Sequence, residues 1–350
     1  TNYLVKLVFP FELVPMYPYP KTIPWYFYAS GLILPLYLFG LYKSLKSDNK
    51  VMVFGLLFFV FNIILLLQVL GAGQGFLADR FTYVAYFGLF FIVAYYGAQF
   101  YKSKDWKKFL SYGIGIGILI FSAMSFQQNK IWENGGTLWS HVLKHYNKAT
   151  LPYGLRGNYY RDIGDPQKAM QDYNRALKLE ETAETLNSRG KLYFSANNDP
   201  LALKDYKKAT ELDPTVGEYF INLGACFARM GNLNQALQVI NRGLALEPTN
   251  ANGYLNRSII NESMRNYEAT LQDIDAYIGL NPTNPDMFYE RGRLKRILKR
   301  NEAALKDLNI AISMNPSQAF YFEERANIYI QLNRNQEAIA DQQRARSMQK

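Results

Sequence analysis

Two rhythms of apolar residues divide the chain. Over the first third they are continuous: the runs at about 22–42, 51–70, 81–101 and 109–129 contain no charged residue. An uncharged helix of roughly 18 to 20 residues spans a bilayer, so the runs predict four transmembrane helices; the alternative is the buried helices of a large soluble core. From Leu151 onward the apolar positions are interrupted and recur. The repeating unit reads as two short helices joined by a turn and ended by proline. The predicted fold class is therefore all-α: a four-helix membrane segment, a linker helix at 130–149, and an α-solenoid over 150–350.

The period of the second part is 34 residues. Gly190, Gly224, Ser258, Gly292 and Ala326 are each that far apart, as are Pro214, Pro248, Pro282 and Pro316, and Ala202, Ala236, Thr270, Ala304 and Ala338. A fixed period in this range decides architecture before any local feature does. In the second copy Leu186, Gly190 and Tyr193 lie on the first helix, residues 197–200 make the turn, and Ala202, Tyr206 and Ala209 line the second helix before Asp213-Pro214 stops it. Position for position this resembles the tetratricopeptide repeat, in six copies at 150–182, 183–216, 217–250, 251–284, 285–318 and 319–350.

The copies also align with one another. Before the small-residue position stands Arg156, Arg189, Arg257, Arg291 or Arg325, and 16 residues further on stands Asp172, Asp205, Asp273, Asp307 or Asp341. In the third copy both change together, to Leu223 and Val239. Paired change at two positions implies contact. An Arg–Asp clamp is expected in five repeats, replaced by an apolar contact in one. As a partly exposed pair each clamp would contribute at most about 1 kcal/mol and set register.

Charge adds sidedness. Up to Phe126 there are ten Lys or Arg and four Asp or Glu, against 29 and 25 in the remainder, so the net +10 splits into +6 and +4. The basic excess sits between apolar runs, as Lys43, Lys46, Lys50 and as Lys102, Lys104, Lys107, Lys108. That placement signals membrane topology rather than nucleic-acid binding. Cytoplasmic loops are the lysine-rich ones, which puts residues 1–21, the connection 71–80 and the repeats on the extracytoplasmic side, periplasmic or luminal. Trp25, Tyr26, Tyr28 and Tyr42 flank the first run, where amphipathic rings favour the headgroup layer. Gly113 and Gly117 form a Gly-x-x-x-Gly step that lets a helix approach closely. Residues 1–21, apolar but broken by Pro10, Pro15, Pro18 and Pro20, suit an interfacial segment. The chain starts with Thr1, and the expectation is that it is the tail portion of a longer membrane protein.

Three stretches carry a more specific likeness: Tyr17-Pro18-Tyr19-Pro20, the segment Leu77-Ala78-Asp79-Arg80-Phe81-Thr82-Tyr83, and Trp132-x6-Trp139 leading into the repeats. Together they are similar to the carboxyl-terminal half of the transmembrane and tetratricopeptide-repeat O-mannosyltransferases. The chain departs from that family's Glu-Arg-Tyr-x-Tyr-x-Pro pattern at Phe81 and Ala85. The resemblance implies a membrane glycosyltransferase that uses a polyprenyl-phosphate sugar as donor substrate, with no other cofactor and with repeats that recruit a protein acceptor. Its catalytic acidic residues would lie upstream of Thr1, leaving none in this chain. The alternative is a non-catalytic membrane-anchored scaffold for protein–protein interaction; a cytosolic adaptor would need inverted topology.

Among candidate sites, Arg80 is the only cation in its loop, at the water–lipid boundary. A guanidinium grips phosphate through two parallel hydrogen bonds, so Arg80, with Asp79, is the candidate for lipid phosphate; pairing with Asp79 or snorkelling to headgroups is the plain alternative. His141 and His145 share a helix face, yet the third ligand and adjacent glutamate of a zinc site are missing, so no metal is expected. Cys226, the only cysteine, is expected to be a buried thiol. By repeat position Asn187, Lys191, Ile221, Leu255, Ile259, Tyr289, Arg293 and Arg296 line a groove suited to an extended peptide or an acidic segment. The Lys and Asn clamp of chaperone-binding repeats is not matched, and a groove stacked on the membrane segment is the other option. The expected partners are membrane lipid and a protein or peptide, not nucleic acid.

Overall fold

The structure is a computed structural model and describes residues 33–64, 82–102 and 104–348. Among the described residues there are seventeen α-helices and no strands. They fall into two compact units, Thr1–Leu179 and Glu180–Lys350.

The first unit holds α1 (Ile33–Lys46), α2 (Lys50–Ile64), α3 (Thr82–Tyr101), α4 (Lys104–Ile131), α5 (Gly135–His145), α6 (Thr150–Asp162) and α7 (Pro166–Leu179). Two stretches here are long and apolar enough to cross a membrane, Val84–Tyr101 and Lys107–Ile131; α2 is apolar but shorter. The first two predicted runs are described only in part, at 33–42 and 51–64, and the interfacial segment 1–21 and the whole 71–80 connection with Asp79 and Arg80 lie outside the described residues. Both lysine clusters fall at helix junctions, Lys43 and Lys46 on the last turn of α1 before Lys50 opens α2, and Lys102 to Lys108 where α3 gives way to α4.

Helices α2 and α3 cross at Gly55 and Gly88. A Cβ on Gly55 would stand 2.5 Å from the Gly88 carbonyl oxygen, and one on Gly88 the same distance from the Gly55 oxygen. Only hydrogen fits between two backbones so close. Phe54 against Phe91 and Phe58 against Phe87 interleave on either side, at ring separations of 5.4 and 5.7 Å. The Gly113–Gly117 step, which would let a neighbouring helix approach, has none against it among the described residues. Nothing described lies within 4 Å of a Cβ on Gly113 or Gly117, and Tyr112, Ile114, Ile116 and Leu119 around them are exposed.

The linker helix is shorter than predicted. It begins at Gly135, where Asn134 and Thr137 form a reciprocal capping box that satisfies the first free N–H groups, and it ends at His145.

The second unit holds α8 (Ala183–Ser195), α9 (Asp199–Leu212), α10 (Gly217–Arg229), α11 (Leu233–Leu246), α12 (Ala251–Ser263), α13 (Tyr267–Leu280), α14 (Pro285–Ile297), α15 (Asn301–Met314), α16 (Ala319–Gln331) and α17 (Asn335–Met348). With α6 and α7 these are the predicted pairs; the first helix of each pair is helix A and the second helix B. The small residue of helix A sits against a large one of helix B. A Cβ on Gly190 would meet the Tyr206 ring at 2.7 Å, and one on Gly157 the Tyr173 ring at the same distance. Ala169, Ala202, Ala236 and Ala304 are wholly buried beside these contacts.

Each A–B turn closes the same way. The amides of Asp165, Asn198, Asn232, Asn266, Arg300 and Arg334 each donate to a carbonyl five residues back, at 2.7 to 2.9 Å, the bond that ends a helix when one residue turns left-handed. That residue is Gly164, Asn197, Gly231, Arg265, Lys299 or Asn333, with φ between 56° and 81°. Helix B ends just before the periodic proline, whose ring excludes a helical conformation for the residue before it; Asp213 and Asn281 occupy that place in extended or irregular backbone.

Candidate functional site: the helix A face of the repeats

Polar clamps fix how helix A lies on helix B. In all five repeats that carry it, the arginine meets the aspartate 16 residues on through Nε and Nη2, at 2.6 to 2.9 Å. The aspartate side chains retain only 2–9% exposure and the arginines 17–26%. The pair is thus more deeply buried than expected from sequence. Repeat three shows the apolar replacement: Leu223 is buried and Val239 packs against the same core.

The sequence pattern left out a third member. The remaining arginine nitrogen, Nη1, donates to a side chain 16 residues upstream: Ser140 for Arg156, Asn241 for Arg257, Asp275 for Arg291 and Asn309 for Arg325, at 2.7 to 3.0 Å. For the last three the acceptor lies on helix B of the preceding repeat, so one guanidinium ties three helices. Repeat three, lacking its arginine, uses Arg229 at the end of α10 instead. Arg229 Nη2 donates to the Phe194 carbonyl at 2.8 Å, its Nε to Asp199 at 2.7 Å, and the guanidinium lies 3.4 Å from the centre of the Phe194 ring.

With helix B engaged on one side, the other side of the A helices within Glu180–Lys350 is left as a face, with side-chain links between several successive helices. Asn222 Nδ2 donates to Asn187 Oδ1 at 2.9 Å, joining α10 to α8. Lys191 pairs with Glu218 across the same step. Arg293 on α14 reaches Glu262 on α12 at 2.5 Å and Glu290 on its own helix at 2.7 Å, and Arg296 reaches Glu324 on α16 at 2.6 Å. The Tyr321 hydroxyl donates to Asp286. Burial by itself would lower the Arg293 guanidinium; hydrogen bonds to Glu262 and Glu290 outweigh that and raise it. Burial first, then the Glu290 and Glu324 carboxylates, raise the Tyr289 hydroxyl.

The predicted lining residues divide into three groups. Ile259 is 55% exposed, and Leu255 and Tyr289 are half-buried, with Tyr289 edge-on to Phe320 at 4.9 Å. Lys191, Arg293 and Arg296 lie on the face, each in an ion pair. Asn187 and Ile221 are buried instead: the Ile221 side chain fills the space that Gly243 and Gly253 leave by having no Cβ. The register that places Leu255 and Tyr289 at the surface puts these two in the core, Ile221 against the two glycines and Asn187 where it accepts a hydrogen bond from Asn222. The carboxylates that partner the cations were missed, although Glu184, Glu218 and Asp286 share one repeat position and Glu290 and Glu324 another.

His141 and His145 stack edge to face at 5.1 Å, and no group of three His, Cys, Asp or Glu that could hold a metal occurs among the described residues. Cys226 is buried, and burial pushes its thiol up to about 11.

Residues 155–216 match the family model for the tetratricopeptide repeat. No curated protein matches the chain. Among solved structures, PilF of Pseudomonas aeruginosa is 16% identical, with a TM-score of 0.50 over 56% of this chain and 90% of its own. MamA of Desulfovibrio magneticus is 14% identical, with a TM-score of 0.45 over 48% of this chain and 94% of its own. A further MamA structure is 21% identical, with a TM-score of 0.44 over 46% and 94%. At that identity the PilF likeness concerns the fold alone.

Proposed function

Taking residues 150–350 as tetratricopeptide repeats, we propose that the chain is a membrane-anchored scaffold whose helix A face docks a protein partner on the extracytoplasmic side. The observation that carries this is the face itself. Cross-repeat hydrogen bonds and ion pairs join its helices, and Ile259 and Phe320 remain exposed on it. A rigid surface made of successive repeats suits an extended polypeptide.

Anchoring is supported by Val84–Tyr101 and Lys107–Ile131, to which the runs 22–42 and 51–70 would add two spans. Lysines at the two helix junctions favour a cytoplasmic position for both, which leaves α5 and the repeats outside. In this layout Arg80 and Asp79 would meet lipid phosphate at the outer boundary. The likeness to O-mannosyltransferases finds no counterpart in the comparisons, so the scaffold stands ahead of the enzyme.

The test is a sided one. With the full chain expressed in bacterial cells, the protein should stay in the membrane pellet after alkaline carbonate washing, and protease added to intact spheroplasts should digest the repeats. Release by carbonate would overturn the anchor, and repeats protected until the membrane is lysed would overturn the orientation.

A further inference from the structure

We infer that the helix A face within Glu180–Lys350 takes a cationic, extended polypeptide, an inference that rests on that face being the docking surface proposed above. The sequence pattern suggests the opposite sign, because Lys191, Arg293 and Arg296 stand at lining positions. In the structure those cations are already committed, to Glu218, to Glu262 and Glu290, and to Glu324. Glu184 and Asp286 lie at the same repeat position as Glu218. The face thus carries six carboxylates against three cations.

The excess is local. Glu180–Lys350 as a whole holds twenty-one acidic and twenty-one basic residues, so what this face has in surplus of one sign the remaining surface has of the other. An acidic peptide would have to pull Lys191, Arg293 or Arg296 away from carboxylates that hold them. A lysine or arginine peptide leaves those ion pairs in place and relieves repulsion among like charges. The exposed apolar side chains suit the same ligand. Ile259, and Phe320 edge-on to Tyr289, offer contact to the methylene stems of Lys and Arg, and a ring face to their charged ends.

The experiment uses the full chain in zwitterionic nanodiscs and two fluorescein-labelled peptides of identical pattern, one with Lys and one with Glu at every charged position. Empty nanodiscs serve as the blank. Fluorescence anisotropy at low salt should show the Lys peptide binding at least about tenfold more tightly than the Glu peptide, a gap that narrows as salt screens the charges. Glu184→Gln combined with Asp286→Asn, which leaves the three ion pairs intact, should weaken the Lys peptide severalfold. Glu211→Gln with Glu302→Gln, on helix B of two repeats, should leave it unchanged. Tighter binding of the Glu peptide would overturn the cationic assignment while leaving the docking surface in place. Equal loss in both double variants would reduce the binding to diffuse attraction and overturn it too. No binding of either peptide would overturn the docking surface itself.

Discussion

At the scale of single residues the decisive fact is where charge has been taken out of water. The Asp273 side chain is 2% exposed and accepts hydrogen bonds from Arg257 and from Asn261. A buried carboxylate that loses its cation keeps its desolvation penalty, so Arg257→Ala should cost about 3 kcal/mol, well above the worth of a surface pair. Replacing both partners, Arg257→Leu with Asp273→Val, should cost much less, because it copies the solution present at Leu223 and Val239 in the same chain. Urea unfolding followed by circular dichroism measures both; equal losses would show that the carboxylate is not what makes the single change expensive. Cys226 yields a second expectation. Its thiol is buried and raised to about 11, so at neutral pH almost none is thiolate. A thiol-reactive dye should leave it unlabelled in the native protein and label it fully in denaturant; rapid native labelling would contradict the packing around α10.

At the scale of elements, the helix pair depends on a turn that most side chains resist. Six turns need a left-handed residue, and two of them use Arg265 and Lys299, at φ 61° and 59°. For an L-residue with a long side chain that conformation costs roughly 1–2 kcal/mol, while glycine enters it freely but loses more freedom on folding. Lys299→Gly should therefore stabilise the array by up to about 1 kcal/mol, read as a rise in the urea midpoint. A fall would mean that the Lys299 side chain makes a contact worth more than the strain. The repeats themselves were legible at this scale. Proline after helix B, the small residue on helix A and the large one facing it recur in the sequence, and each has a local steric cause. The Gly113–Gly117 step was not legible in the same way: a small-residue spacing states that a helix can approach, not that one does.

For the whole molecule, charge and hydropathy argue together and were read together. Uncharged runs and the lysines between them are properties of composition along the chain, and the described parts form helices where those runs were expected. Repeat position says less about the helix A face. Of the eight residues assigned to the groove, Asn187 and Ile221 are buried, and the three cations are paired with carboxylates. The linear pattern shows which residues occupy equivalent places in successive repeats. It does not show which side chain of one repeat touches which side chain of the next.

That difference marks the limit of inference from sequence here. Repetition made the chain its own alignment, so the period, the helix pairs, the Arg–Asp partners and the exception at Leu223 and Val239 followed from residue order, because contacts inside one repeat depend on local geometry that every copy shares. The third arm of three of the clamps, the replacement of the missing arginine by Arg229, and the pairing of Lys191, Arg293 and Arg296 with Glu218, Glu262 and Glu324 arise between repeats. Their geometry is set by how far each helix pair rotates against its neighbour, a quantity fixed by packed side-chain volumes and expressed only once the helices are stacked.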